Sequence, residues 1–152
     1  MGSFKFIEHN DIDRVQWDKC IKSSLSSPLY GLCWYLDIVC PGWKAIVCDD
    51  YSFVWPLPVN KKMGVSYVYQ PFFTQQLGAF SNKEISAEIL NEAWSIIKAK
   101  YVHAHIQLNV TNPPLNAKHE NRRLTHWLDL NRSYELIYSS YSTNVKRNIK
   151  KA

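Results

Sequence analysis

The sequence predicts an α+β fold (mixed α/β layers), and three observations carry that reading. Short apolar runs rich in β-branched and aromatic residues succeed one another over residues 43–71. Helix-periodic segments flank them, over 11–40 and 85–101. No internal repeat is present, and strands in succession with helices that return to the sheet describe a layered domain. The 152 residues are 46% hydrophobic and 14% aromatic, enough for one domain with a core and too apolar for a disordered chain. Six Trp and nine Tyr are a heavy aromatic load, so part of it belongs at a surface or groove.

"FKFIEH" (4–9) alternates like a short strand. "DIDRVQWDKCIKSS" (11–24) sets Ile12, Val15, Trp17, Cys20 and Ile21 at mostly helical spacing, with acidic residues in the first turn. Ser26-Ser27-Pro28 breaks it. "YGLCWYLDIVC" (30–40) predicts a second, apolar helix stopped by Pro41-Gly42. "WKAIVCDDYSFVWPLPV" (43–59) predicts two strands around Asp49-Asp50, the second bulged or facing no neighbour at Pro56 and Pro58. "MGVSYVYQP" (63–71) predicts a third strand. "ISAEILNEAWSIIKAKY" (85–101) is the clearest helix, with Ile89, Leu90, Ala93, Ile96 and Ile97 in one stripe and Lys98 and Lys100 in its last turn. "VHAHIQLNV" (102–110) and "LTHWLDL" (124–130) predict strands around the polar loop 111–123. From Ser133 the pattern is helical, interrupted near "SSYST", where Ser142 or Thr143 caps a fresh turn. Tyr134, Ile137, Tyr138 and Tyr141 then form the buried stripe of that helix.

No apolar run approaches the length of a membrane span, and the N-terminus lacks a secretory pattern. Phe6 stands where a myristoylation signal needs Ser or Thr. Cys20, Cys33, Cys40 and Cys48 show no C-x-x-C spacing, so free thiols in a reducing cytoplasm are expected. His103 and His105 share a strand face but have no acidic or thiol partner nearby, and no metal site is expected. Net charge is +5; residues 1–117 balance ten cations against ten anions, while 118–152 carry eight against three. The excess is therefore a local basic patch.

The order of "YGLCWYLDIV", "WPLP", "QPFFTQQLGAF", "LTHWLDL" and "SSYSTNVKRNIKKA" resembles the N-terminal half of Fem-like N-acyltransferases, within the acyl-CoA N-acyltransferase (GNAT) superfamily. More closely, the chain resembles the GNAT-like proteins of the Bacteroidetes type. "RNIKKA" (147–152) resembles the helix joining the two halves of such proteins. The resemblance implies a GNAT-like central mixed, largely antiparallel sheet flanked by helices, over 1–152. It implies that 133–152 is an inter-domain helix and that a second GNAT-like half lies on the same polypeptide. That half would hold the acyl-CoA or aminoacyl-tRNA donor, and this one the acceptor amine. The chain departs from the family where Tyr30 replaces a Gln and Asp37 stands near an expected Lys, which weighs against a nucleotide-linked peptidoglycan precursor.

Two clusters are candidate sites. Tyr30, Trp34, Gln70, Gln75 and Gln76 are expected to line an acceptor groove walled by Tyr69, Phe72 and Phe73. The same glutamines equally suit a bulged backbone whose polar groups they satisfy, with Gly78 allowing the bulge. Lys146, Arg147, Lys150 and Lys151 share a helical face; Arg147 and Lys150 suit phosphate, and a solvated helix end is the plainer reading. "QQLGAF" does not complete a GNAT pyrophosphate loop, so no cofactor is expected in this chain. No G-x-S-x-G, Cys–His pair or close carboxylate pair is present. Asp49-Asp50 and Asp11/Asp13 are expected to be structural. The sequence thus points to an acceptor-binding half that is inactive alone. Its alternatives are a nucleic-acid module using 118–152, with the buried tyrosine stripe arguing against it, and a ligand-free interaction domain that forms homodimers.

Overall fold

The computed structural model describes residues 3–26, 29–48, 50–118, 121–125 and 128–151. The chain divides into two compact units, Met1–Lys118 and His119–Ala152. The class is α+β, with antiparallel sheets and helices.

In the first unit, strands β1 (Phe4–Ile7), β2 (Lys44–Cys48), β3 (Phe53–Leu57) and β6 (Phe80–Ser81) form an antiparallel sheet in the order β1-β2-β3-β6. Side-chain alternation sends Ala45, Val47 and Val54 to one face and Ile46, Cys48, Phe53, Trp55 and Leu57 to the other. Both faces are covered. Helices α1 (Arg14–Ser23) and α2 (Cys33–Val39) bury Trp17, Cys20, Ile21, Cys33 and Leu36 against the first. Helix α3 (Ala87–Lys100) buries Leu90, Ala93, Trp94 and Ile97 against the second. This explains why "AIVC" and "FVWPL" read as unbroken apolar runs: neither face of these strands meets water.

Local signals set most boundaries. Asp13 caps α1, its carboxylate accepting from the Val15 and Gln16 N–H groups at 3.0 Å. The helix therefore starts three residues later than its periodicity suggests, and Val15 faces water at 80% exposure. Ser86 caps α3. Strand β6 reaches only Phe53 and Val54 of β3, so Pro56 meets no strand on that edge among the described residues. Asp50 serves its own turn by accepting from the Ser52 N–H. Ser27, Pro28 and Asp49 lie outside the described residues.

Three expected elements differ. The second expected strand ends at Leu57, before Pro58, and the third is only the second arm, β5 (Val65–Val68), of a separate hairpin with β4 (Val59–Lys62). Its two-residue loop, Met63-Gly64, has φ +51° and +84°, as a type I′ turn requires. Residues 102–110 are extended but form no strand, touching the remaining chain through isolated parallel bridges, Ala104 with Val68 and Leu108 with Leu77. The described residues of 124–130 form no strand either; His126 and Trp127 lie outside them.

The second unit contains α4 (Tyr134–Ser140) and α5 (Thr143–Ile149), capped by Ser133 and Ser142. Two short helices stand where one interrupted helix was expected, and Ala152 lies outside the described residues. Neither helix has a buried residue, and Tyr134 is 66% exposed. The expected buried stripe of tyrosines is therefore absent. Tyr134 and Tyr138 instead stack on each other, with centroids 5.7 Å apart.

Between β5 and β6 the chain crosses the core as irregular backbone, and side chains supply its pairing. Asn109 Nδ2 donates to the Leu77 and Ala79 carbonyl oxygens at 3.0 and 2.8 Å. Asn112 accepts from the Ala79 N–H and donates to the Ala79 carbonyl oxygen, both at 2.8 Å. Gly78 sits inside this clamp with φ +78°, and a Cβ there would meet Asn112 Oδ1 and approach Asn109 N and the Leu108 Cα at 3.2 Å. Gly78→Ala should therefore destabilise the protein by about 2–4 kcal/mol in urea denaturation, combining left-handed strain with a clash against main chain. A loss below about 1 kcal/mol would mean that the clamp relaxes freely.

Candidate functional site

The segment "QPFFTQQ" makes a turn with an aromatic tip. The Thr74 N–H donates to the Pro71 carbonyl oxygen at 3.3 Å, placing Phe72 and Phe73 at the centre of a β-turn. Phe73 has φ +63°. Glycine or asparagine usually fills such a position, and a bulky L-residue there costs about 1–3 kcal/mol.

Several contacts hold this strained turn. Gln70 Nε2 donates to the Thr74 carbonyl oxygen at 2.8 Å, and Gln70 Oε1 accepts from the Gln107 N–H at 3.0 Å. The Tyr35 hydroxyl donates to the Phe73 carbonyl oxygen at 2.8 Å and lies 3.3 Å from Thr74 Oγ1. Pro71 and Thr74 are buried. The base of the turn is thus fixed, while the rings at its tip stand 87% (Phe72) and 93% (Phe73) exposed.

Tyr35 joins the turn to α2. Tyr30 packs edge-on against it with centroids 5.4 Å apart, and Trp34 does the same at 5.8 Å. Trp34 is half exposed, whereas Trp43 is fully buried in the core. Tyr30 and Trp34 therefore meet the turn through Tyr35, which the sequence did not single out. Helical spacing alone does not place Tyr35 at the turn, and only the fold shows that its hydroxyl reaches residue 73.

The glutamines divide. Gln70 was expected to face a groove, but both ends of its amide bind main chain, which makes it a brace. Gln75 is exposed and Gln76 half-buried, and neither makes a hydrogen bond to any described residue through main chain or side chain. Their amides remain available, so the role of satisfying irregular backbone falls to Gln70, Asn109 and Asn112.

Arg147 and Lys150 belong to the second unit. One Arg147 guanidinium nitrogen donates to Asn144 Oδ1 at 2.7 Å. Lys146 turns towards the Ser139 carbonyl oxygen at 3.0 Å and the Tyr138 ring. The four cations of that face therefore do not converge on one point, and Lys150 is exposed at the end of α5.

Polar chemistry elsewhere in the first unit is locked or buried. Asp37, in α2, pairs with Arg14, accepts from Trp43 Nε1 at 3.0 Å and lies 3.7 Å from His9 Nε2. Burial pulls its carboxyl upward, but the hydrogen bonds from Arg14 and Trp43 outweigh it and hold the acid below its ordinary range. All four cysteines are free and buried. Burial pushes the Cys20 thiol up to about 11 and, with Asp18, the Cys33 thiol up to about 12. Neither is a thiolate nucleophile at neutral pH. His103 and His105 are exposed, and no group of three or more His, Cys, Asp or Glu among the described residues could hold a metal ion. No helix among them is long and apolar enough to cross a membrane.

Comparison with family models, curated proteins and solved structures finds no match to this chain.

Phe73→Gly should leave thermal stability within about 1 kcal/mol of the parent, because relief of left-handed strain offsets glycine's greater unfolded-state entropy. A loss near the 3–5 kcal/mol of a buried phenylalanine would show that the ring packs, at about that magnitude. For Asp37, the folded acid is depressed, so its contribution is present above the unfolded value of about 4 and lost as pH falls through the folded one. Asp37→Asn should lower the melting temperature at pH 7 and narrow its gap to the parent as pH falls to about 3. A gap independent of pH would remove the role of its charge.

Proposed function

We propose that the Met1–Lys118 unit is the acceptor-binding half of a Fem-like N-acyltransferase. It holds an amine-bearing substrate against Tyr30, Trp34 and the Phe72–Phe73 turn, with the amides of Gln75 and Gln76 pairing to the substrate's polar groups. The observation that carries this reading is the braced turn: exposed aromatic rings carried on fixed main chain beside two unused amides form a contact surface. Acyl transfer to an amine also needs a base for the ammonium proton and donors for the tetrahedral oxyanion. The residues of this surface carry no carboxylate, imidazole or thiolate, so the proposal assigns those groups, and the acyl-CoA or aminoacyl-tRNA donor, to a second GNAT-like half.

The test is a titration of the isotope-labelled chain, followed by amide NMR, with a panel of short peptides bearing primary amines. Shifts should concentrate at Tyr30, Trp34 and Phe72–Gln76, and Gln76→Leu should weaken them. Acetyl-CoA should bind elsewhere or not at all, and no acetyl transfer should occur. Turnover of acetyl-CoA by this chain at enzymatic rates would reject the half-enzyme. Salt-dependent binding of single-stranded RNA with shifts confined to 119–151 would favour the alternative, which the exposed Tyr134 and the Lys146 ammonium 5.4 Å from the Tyr138 centroid support.

A further inference from the structure

We propose that the Phe72–Phe73 turn recognises an extended, uncharged polypeptide segment, paired along Gln75–Gln76 and anchored by the two phenylalanines. This deepens the proposed acceptor-binding reading and rests on it.

Three independent features point to that ligand chemistry. The first is the strain. Phe73 occupies a conformation that disfavours it while its ring gains almost no burial. Gln70, Tyr35 and Thr74 nevertheless hold its backbone in place. Strain sustained by surrounding contacts, with no packing return at the strained side chain, marks a position selected for what the side chain meets outside. A rigid aromatic loses little conformational entropy on contact, which suits it as an anchor.

The second is charge. No charged residue occurs from Met63 to Asn82, nor from Ser23 to Leu36. The first charge beyond α2's aromatic face, Asp37, is neutralised by Arg14. A phosphate or carboxylate brought against this surface would shed water with no counter-charge to meet it, and the acceptor amine then lies outside the segment bound here. The complement of an uncharged surface is an uncharged ligand.

The third is the backbone. Gln75 and Gln76 follow the turn with main-chain N–H and C=O groups unpaired among the described residues, and their side-chain amides are equally unused. Gln76 is nonetheless half-buried. Peptide main chain offers the same alternation of donors and acceptors, and addition of a strand to exposed backbone is an established mode of peptide binding. A small apolar molecule would leave these groups unanswered.

The test uses acetyl-Ala-Leu-Ala-Leu-Ala-amide, which has neither a free amine nor a charge, titrated into the labelled full chain. Shifts are expected at Phe72–Leu77, with an affinity that changes less than about twofold between about 50 and 500 mM salt, since no charge is screened. Phe73→Gly, with its melting temperature checked against the parent, should weaken binding about tenfold or more, as loss of an aromatic anchor does. A peptide with Glu or Lys in place of both leucines should bind more weakly. If the amine peptides bind here and the blocked peptide does not, this inference fails while the acceptor-binding reading stands. If the charged peptide binds better and salt abolishes it, the inference is likewise overturned. If Phe73→Gly converts a dimer of this chain to a monomer and the peptide is silent, the turn's occupant is a second copy and the proposal is wrong. Silence of every peptide with a monomeric chain rejects both readings.

Discussion

Side-chain amides do the pairing that a strand ladder would do along residues 70–79. Gln70 ties Thr74 to Gln107, and Asn109 and Asn112 hold Leu77 and Ala79. Buried main chain without partners would cost about 1–3 kcal/mol per group, so this crossing exists only because the amides are present. The rest follows from it. Gly78 is required because the clamp leaves no room for a Cβ. The Phe72–Phe73 turn projects where it does because Gln70 fixes its base. Residues 103–109 lie alongside as extended chain because their partner is not a regular strand.

The sheet explains where the aromatic residues go. With both faces covered, it can bury Trp17, Trp43, Trp55 and Phe80 almost completely. It does not absorb Trp34, Phe72 and Phe73. Within the described residues of the first unit, aromatic exposure is confined to α2 and the turn, which Tyr35 connects, so the surplus there is concentrated rather than scattered. The same core holds Cys20 and Cys33 as packing residues, since burial raises their thiols and withdraws the nucleophilic form.

Rigidity and strain belong together at this surface. A turn free to move would relax Phe73 out of the left-handed region. Its three tethers prevent that and hold the main chain that carries both rings in one arrangement. Pre-organisation of this kind lowers the entropy lost on contact, which is the physical basis for reading the turn as a binding element and not as a connecting loop.

Local sequence signals set the α+β class, the position of α3, the fresh turn near Ser142 and the aromatic-and-glutamine character of 70–80, whereas the caps at Asp13, Ser86 and Ser133 emerged with the fold. These are local properties: periodicity, capping chemistry and composition act over a few residues. The sequence also marked Tyr30, Trp34, Gln70, Gln75 and Gln76 as one group, from which the structure removes Gln70. Only the tertiary structure decided which glutamine braces and which remain free, because that depends on Gln107, Asn109 and Asn112, some 30 or more residues away in the chain. Tyr35 became visible for the same reason. The strand expected at 102–110 failed, and the described residues of 124–130 form none, because an apolar, β-prone run becomes a strand only when a neighbour offers a ladder. The tyrosines of α4 were misplaced because helical spacing identifies residues that share a face and cannot say whether anything packs against it.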